Sequence, residues 1–195
     1  MTKGSETRQA ILRQGVVTAY RVGLGGLTIG ALATATGMSK SGLFAHFHSK
    51  ELLQIAVLRE AREEFVDSVI RPAVAAPRGE PRVRELFERW IVCGRTRQPG
   101  GCLFVKAATE LDEQDGPVRD QLVQDHHDLY DSIARIFGGG ITEGHFRADA
   151  DPMQFAGDLD GVMLAYYHAF RLLEDEAAES RARHAFEALL RAARP

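Results

Sequence analysis

Apolar positions recur every three to four residues along nearly all of this chain. No stretch alternates with period two long enough to propose a strand, so the pattern predicts an all-α fold. From about Ser5 to Arg21, Leu12, Val16, Ala19 and Tyr20 fall on one stripe, and GLGG at Gly23 to Gly26 ends that helix. Thr28 caps a second helix carrying Ile29, Leu32 and Ala33, and Gly37 supplies the left-handed residue that stops it. Ser39 caps a third, whose Leu43 and Phe47 stand four apart on one inward face. Ser49 caps a fourth, through Glu51, Leu52, Leu53, Ala56, Val57, Ala61 and Phe65, expected to stop near Ile70 ahead of Pro72 and the APRGEP loop.

Beyond that loop, Val83, Leu86, Phe87, Trp90 and Ile91 mark a helix to about Arg97, broken by QPGG, and another begins near Leu103. Gly116-Pro117 separates it from a helix over about Val118 to Phe137, which the glycines at 138 to 140 are expected to end. Thr142 to Pro152 reads mostly as loop. Asp151-Pro152, a capping residue before a proline at the first helical position, opens a helix to about Leu173, and a last one covers about Glu179 to Arg194. About nine helices are expected.

The stretch Thr28 to Lys50, two short helices around one turn, has the form of a helix-turn-helix. The face of its second helix opposite Leu43 and Phe47, with Lys40, Ser41 and His46, is free to enter a DNA major groove, which is wide enough for a helix. Charge sharpens this reading. Residues 1–50 carry six Lys and Arg against one Glu, a net +5, so the remaining residues carry −8 of the overall −3. Only the first quarter of the chain suits a polyanion, and the acidic remainder should face away from it.

The final two predicted helices are apolar over too wide an arc for one face of neighbours. Phe155, Leu159, Val162, Tyr166, Phe170 and Leu173 form one stripe, and Leu164, Ala165, His168 and Leu172 occupy much of the rest. With Ala182, Ala185, Phe186, Leu189 and Leu190 on the last helix, the pair is expected to meet its copy across a two-fold axis, the alternative being a monomer that buries both helices internally. Phe155, Leu159, Val162, Leu172, Phe186, Leu189 and Leu190 are the candidate interface residues.

An aromatic and histidine set in the acidic part, Trp90, Phe104, His126, Tyr130, Tyr166, Tyr167 and Phe170, is the candidate lining of an apolar ligand cavity with a few polar handles; ordinary core packing is the alternative for each. His126 and His127 are adjacent and point about 100° apart on a helix, so no shared metal site is expected. Cys93 and Cys102 have neither metal-type nor framework spacing and read as small buried hydrophobes in a reducing compartment; a redox switch across the QPGG turn is the lesser alternative. Glu110, Asp112, Glu113 and Asp115 read as a solvated acidic face. No nucleophile elbow, phosphate-cradling loop or HExxH stands in the chain, so neither an enzyme nor a cofactor is expected. A hydrophobic content of 45% supports a real core, while no run of about 18 apolar residues and no leader pattern in MTKGSETRQA leave the cytoplasm as the expected address.

The head is similar to that of the TetR family of transcriptional regulators. The resemblance rests on Thr28, Ile29, Leu32, Ala33, Ala35 to Lys40, Leu43, Phe44, His46, Phe47 and Ser49 to Glu51, and it covers most of residues 5–65. GCLFVKAATELDEQDGPVRD and EGHFRADADPMQFAGDLDG look like segments common in one branch of the family. The resemblance implies three head helices, a linking fourth, a five-helix ligand-binding body and a dimer formed by the last two helices. It places phosphate contacts at Thr28 and Lys50, where a hydroxyl and an ammonium join helix N-termini, and groove contacts at Lys40, Ser41, Gly42 and His46, with Ser39 at the helix start. Phe44 stands where the family usually has a tyrosine whose hydroxyl meets a phosphate. Its readings are a sugar or thymine-methyl contact, or a place in the head core with Leu43 and Phe47, the core being favoured. Gly42 replaces a more usual threonine.

These readings together give a DNA-reading domain over 1–48 and a helical ligand-binding and dimerisation domain over 49–195. The expected function is a homodimeric regulator, a repressor on a palindromic operator, released by a small-molecule effector. A constitutive DNA-binding dimer without ligand response is the alternative. Partners are double-stranded operator DNA, a second copy and an unidentified effector, with no membrane.

Overall fold

The computed structural model describes residues 3–96 and 101–195. The end of the helix at Arg97 and the QPGG break up to its last glycine therefore lie outside the described residues, as do the first two residues of the MTKGSETRQA start. Every described element is a helix: α1 (Lys3–Val22), α2 (Ile29–Thr36), α3 (Lys40–Phe47), α4 (Lys50–Phe65), α5 (Arg71–Ala75), α6 (Glu80–Thr96), α7 (Leu103–Leu111), α8 (Pro117–Thr142), α9 (Pro152–Arg171) and α10 (Ala178–Ala193). The all-α expectation holds. Because a π turn over Val66–Ile70 joins α4 to α5 without a break, the described helices form nine continuous rods.

The predicted caps act as read. Thr28 Oγ1 accepts from the Ala31 N–H at 3.0 Å, Ser39 Oγ from Gly42 at 3.1 Å and Ser49 Oγ from Leu52 at 3.1 Å. Gly37 adopts φ 66°, and Asp151 Oδ1 accepts from Met153 at 2.8 Å and Gln154 at 3.2 Å. Each satisfies backbone donors that a helix start leaves open.

Two expected stops are corrected. Pro72 does not end the fourth helix. The π turn, closed by the Arg71 N–H on the Val66 carbonyl, restarts the hydrogen-bond register, so Pro72 falls in the first turn of α5, where its missing donor costs nothing. Nor do Gly138 to Gly140 end α8, which runs on to Thr142 and stops beside Gly144 at φ 73°. The ring of Phe146 lies directly against the backbone of Gly140 and stacks on Phe137 at 4.4 Å, and Phe137 stacks on Phe155 at 4.1 Å. That tertiary packing outweighs the propensity cost of about 1 kcal/mol per helical glycine.

The chain divides into two compact units, 1–64 with 98–125, and 65–97 with 126–195. In the first, Leu12, Val16, Leu32, Leu43, Phe47, Leu53 and Val57 of α1 to α4 share one core with Leu103, Ala107 and Leu111 of α7 and with Val118 and Leu122 at the start of α8. The head helices therefore do not close their core alone; α7 fills it. In the second unit, α5 packs on α6, α9 on α10, and Phe87 stacks on Phe186 at 4.0 Å. An ion network ties α6 to α10: Arg84 bridges Glu80 and Glu187, Arg194 pairs with Glu80, and Arg183 with Glu88 and Glu179. The Arg194 and Arg84 guanidiniums hold the Glu80 carboxyl down to about 2. His145 Nδ1 accepts from the Glu80 N–H at 3.0 Å and so caps α6 from a distant loop.

Candidate nucleic-acid interface

The inward stripe of α3 is used up by Leu43 and Phe47, both buried. What remains is an outward face of two rows at helical spacing, Lys40 and Phe44, and Ser41 and Ala45, all exposed, with the exposed His48 beyond them as the C-cap at φ 61°. The core reading of Phe44 is corrected: its ring is 54% exposed, because it lies about 100° round the helix from Leu43, and it meets His48 edge-on with centroids 6.4 Å apart. Ser39 is exposed and occupied with capping, and Gly42 is half-buried. His46 is half-buried and turned sideways, lining a groove of about 410 Å³ with Arg8, Leu12, Phe47, Leu52 and Arg59. Arg8 sits over the Phe47 ring at 5.4 Å. The motif singles out neither Ala45, whose four-residue spacing from Ser41 places it on this face, nor His48, which closes the helix.

The turn leading into α2 is held from several sides. Lys50 Nζ donates to the Gly25 carbonyl at 2.9 Å, Gln54 Nε2 to the Leu24 carbonyl at 2.6 Å, and Lys106 Nζ to the Tyr20 carbonyl at 2.6 Å. The Gly25 N–H donates to Glu110 Oε2 at 2.6 Å. Glu110 is therefore no solvated acid but an anchor of the head, while Asp112, Glu113 and Asp115 are exposed. Lys50 and the exposed Thr28 stand at the starts of α4 and α2, and an ammonium with three donors can hold Gly25 and still reach a phosphate.

The candidate ligand residues fall in both units. Phe104 is half-buried against the core of the first. In the second, Tyr166 stacks on Phe170 at 5.4 Å, Tyr167 lies on the backbone of Gly94, and Trp90 meets Phe65 edge-on at 5.6 Å. Half-buried Tyr130 donates to Asp160 Oδ2 at 2.9 Å; burial and that carboxylate push its hydroxyl up to about 12, and burial raises Asp160 too, against the pull of Tyr130 and His126. Trp90, 3% exposed, and Tyr166, 2% exposed, carry a buried Nε1–H and a buried hydroxyl without hydrogen-bond partners among the described residues. Burial raises the Tyr166 hydroxyl, which stays neutral. Neither cysteine is in a disulfide, Cys93 being buried and Cys102 half-buried. Among the described residues no group of three His, Cys, Asp or Glu is placed to hold a metal, and no helix is long and apolar enough to cross a membrane.

Of the candidate interface residues, Phe155, Leu159, Phe186 and Leu190 are buried within the protomer, Val162 and Leu189 are half-buried, and Leu172 is exposed. A fully buried side chain presents nothing to a second copy. The outward face of α9 is made instead by Gly157, Gly161, Leu164, Ala165 and His168, with Leu172 at its C-cap, of which Gly157 is half-buried and the others exposed.

Residues 11–57 match the family model "Bacterial regulatory proteins, tetR family", and residues 79–186 match "Tetracyclin repressor-like, C-terminal domain". The chain belongs to the TetR family. It is therefore a DNA-binding transcriptional regulator with a helix-turn-helix head, in a family whose members are generally not enzymes. The HTH-type transcriptional regulator RutR of Escherichia coli O157:H7 is 27% identical over 164 residues, spanning 76% of this chain and 68% of RutR. A TetR-family regulator from Cytophaga hutchinsonii shares the fold at TM-score 0.85 and 20% identity, over 100% of this chain and 98% of that one. AibR, solved in complex with isovaleryl coenzyme A and operator DNA, shares it at TM-score 0.67 and 22% identity, over 82% of this chain and 85% of that one.

Proposed function

We propose that this TetR-family regulator is a homodimeric repressor that binds a palindromic operator and leaves it when a small molecule occupies the second unit. The reading is carried by the outward face of α3, whose first turn presents the exposed Lys40 and Ser41, beside two backbone-anchoring positions, Thr28 and Lys50. Lys40 donates to guanine acceptors and Ser41 to several bases, with Ser39, Gly42, Phe44 and His46 around them. In this proposal residues 1–48 read DNA and 49–195 sense and dimerise, a functional division distinct from the packing units. Two copies join through the outward α9 face and Ala185, Ala188, Leu189 and Ala192 of α10. Half-sites of a palindromic operator read on one face of the duplex lie about 34–36 Å apart, one helical turn, so that is the spacing the two heads of the dimer must match.

Selection from random DNA should return an inverted repeat, and light scattering should give twice the chain mass. Lys40→Ala should weaken the selected operator by about tenfold or more, at about 1–3 kcal/mol per lost base contact in each head, while changing binding to random DNA far less. Equal loss on both DNAs would remove Lys40 from base reading, and a monomer mass would remove the dimer.

Support for an effector comes from Trp90 and Tyr166. Leaving a buried donor unpaired costs about 1–3 kcal/mol, so both favour a ligand with hydrogen-bond acceptors and an apolar body. AibR, of the same fold, is bound to a small molecule and to operator DNA. A thermal-shift screen of aromatic and apolar carboxylates and ketones should find a compound that raises the melting temperature of the parent but not of Trp90→Phe with Tyr166→Phe. A hit that shifts both equally would clear these two residues of the role, and a screen without hits would favour the constitutive dimer.

A further inference from the structure

We propose that the second turn of α3 reads thymine, with Phe44 and Ala45 each packing on a C5-methyl group in the major groove next to the bases bonded by Lys40 and Ser41. The inference rests on the proposal that the outward α3 face enters the groove, and names what part of that face recognises.

The two rows of the face differ in chemistry along the helix. The first turn, Lys40 and Ser41, offers an ammonium and a hydroxyl. The second, Phe44 and Ala45, offers only carbon. Neither side chain can donate or accept, so neither distinguishes the hydrogen-bonding edges of guanine, adenine or cytosine. The thymine methyl is the apolar mark that a major-groove edge displays. Phe44 is more than half exposed, although burying an aromatic ring is among the larger apolar gains available to a chain. Its ring meets His48, the C-cap residue of α3, edge-on rather than folding back on the head. The phosphate contact that the family's usual tyrosine makes through its hydroxyl is closed to a phenyl ring, and a sugar contact fits less well. The positions suited to the backbone, Thr28 and Lys50, stand at the starts of α2 and α4, whereas Phe44 shares its row with Lys40.

The test uses the full-length protein and its selected operator, with each thymine replaced singly by deoxyuridine, which deletes the methyl and leaves base pairing intact. Fluorescence anisotropy should show about fourfold weaker binding at one or two thymines in each half-site, the value of one buried methyl group. They should lie beside the positions where Lys40→Ala relaxes specificity. Phe44→Ala should abolish the deoxyuridine effect at one of them, and Phe44→Leu, which keeps an apolar contact, should retain it. Specific binding indifferent to every deoxyuridine substitution would overturn the proposal while leaving DNA reading by α3 intact. Phe44→Ala weakening selected and random DNA equally would overturn it in favour of a sugar contact. Failure of any sequence to be selected would overturn the reading of α3 itself, and this inference with it.

Discussion

Replacing Gly23 with alanine should lower the melting temperature by about 4–12 °C and take operator binding down with it, read by thermal circular dichroism and anisotropy. Two costs combine. Gly23 has φ 78°, where an L-residue costs about 1–2 kcal/mol. An added Cβ would also fall inside the Glu110 carboxylate, displacing the acceptor of the Gly25 N–H. That hydrogen bond is exposed, so its loss is set at about 1 kcal/mol, the value of an ordinary hydrogen bond and below that of a buried charged one, for about 2–3 kcal/mol in all. At about 2–4 °C per kcal/mol for a chain of this length, the shift follows. In a Glu110→Ala background the second cost is already gone, and Gly23→Ala should add only the backbone part. Equal penalties in the two backgrounds would show that Glu110 is not the obstruction. DNA binding suffers because the same turn, held by Lys50, Gln54 and Glu110, sets where α2 begins.

Gly140→Ala should also destabilise, and its neighbours should do the reverse. In a solvated helix the change gains about 1 kcal/mol of propensity. At Gly140 the new methyl would enter the Phe146 ring, and overpacking at about 1–3 kcal/mol joins the loss of a stack on Phe137 worth about 0.5–1.5. The penalty exceeds the gain by about 0.5–3.5 kcal/mol, and a fall of about 1–14 °C is expected. Gly138 and Gly139 would meet nothing within 4 Å, so Gly138→Ala and Gly139→Ala should each raise the melting temperature by about 2–4 °C. A rise on Gly140→Ala would mean that Phe146 swings away at little cost.

These glycines also show where local sequence rules stop. Thr28, Ser39, Ser49, Gly37 and Asp151 were legible because each acts on donors or carbonyls a few residues away, within reach of its own backbone. Pro72 and Gly138 to Gly140 carry equally clear local signals, yet a π turn absorbed the first and packing overrode the second. Phe44 is a different lesson. Its exposure was implicit in the 100° step from Leu43, but its residue type argued for the core, and helical geometry prevailed over hydrophobicity. Glu110 and Lys106 act on backbone groups 85 and 86 residues away, so no spacing in the chain announces them. The buried faces of Phe155, Leu159, Phe186 and Leu190 went to the protomer's own core for a similar reason: periodicity shows that a face is apolar, and only the neighbours decide whose apolar surface covers it.

From its sequence alone this protein is an all-helical TetR-type regulator with a cationic, capped helix-turn-helix head, because caps, period and charge are properties of short segments. Only the tertiary structure decided that α7 completes the head core and anchors the turn before α2, that helices run through Pro72 and the glycine run, and that Phe44 faces outward with Lys40. The α7 contacts and the run through the glycines are set between residues distant in the chain, whose packing exceeds the local preferences it overrules. The π turn before Pro72 and the outward turn of Phe44 are instead backbone geometry that residue type alone does not announce.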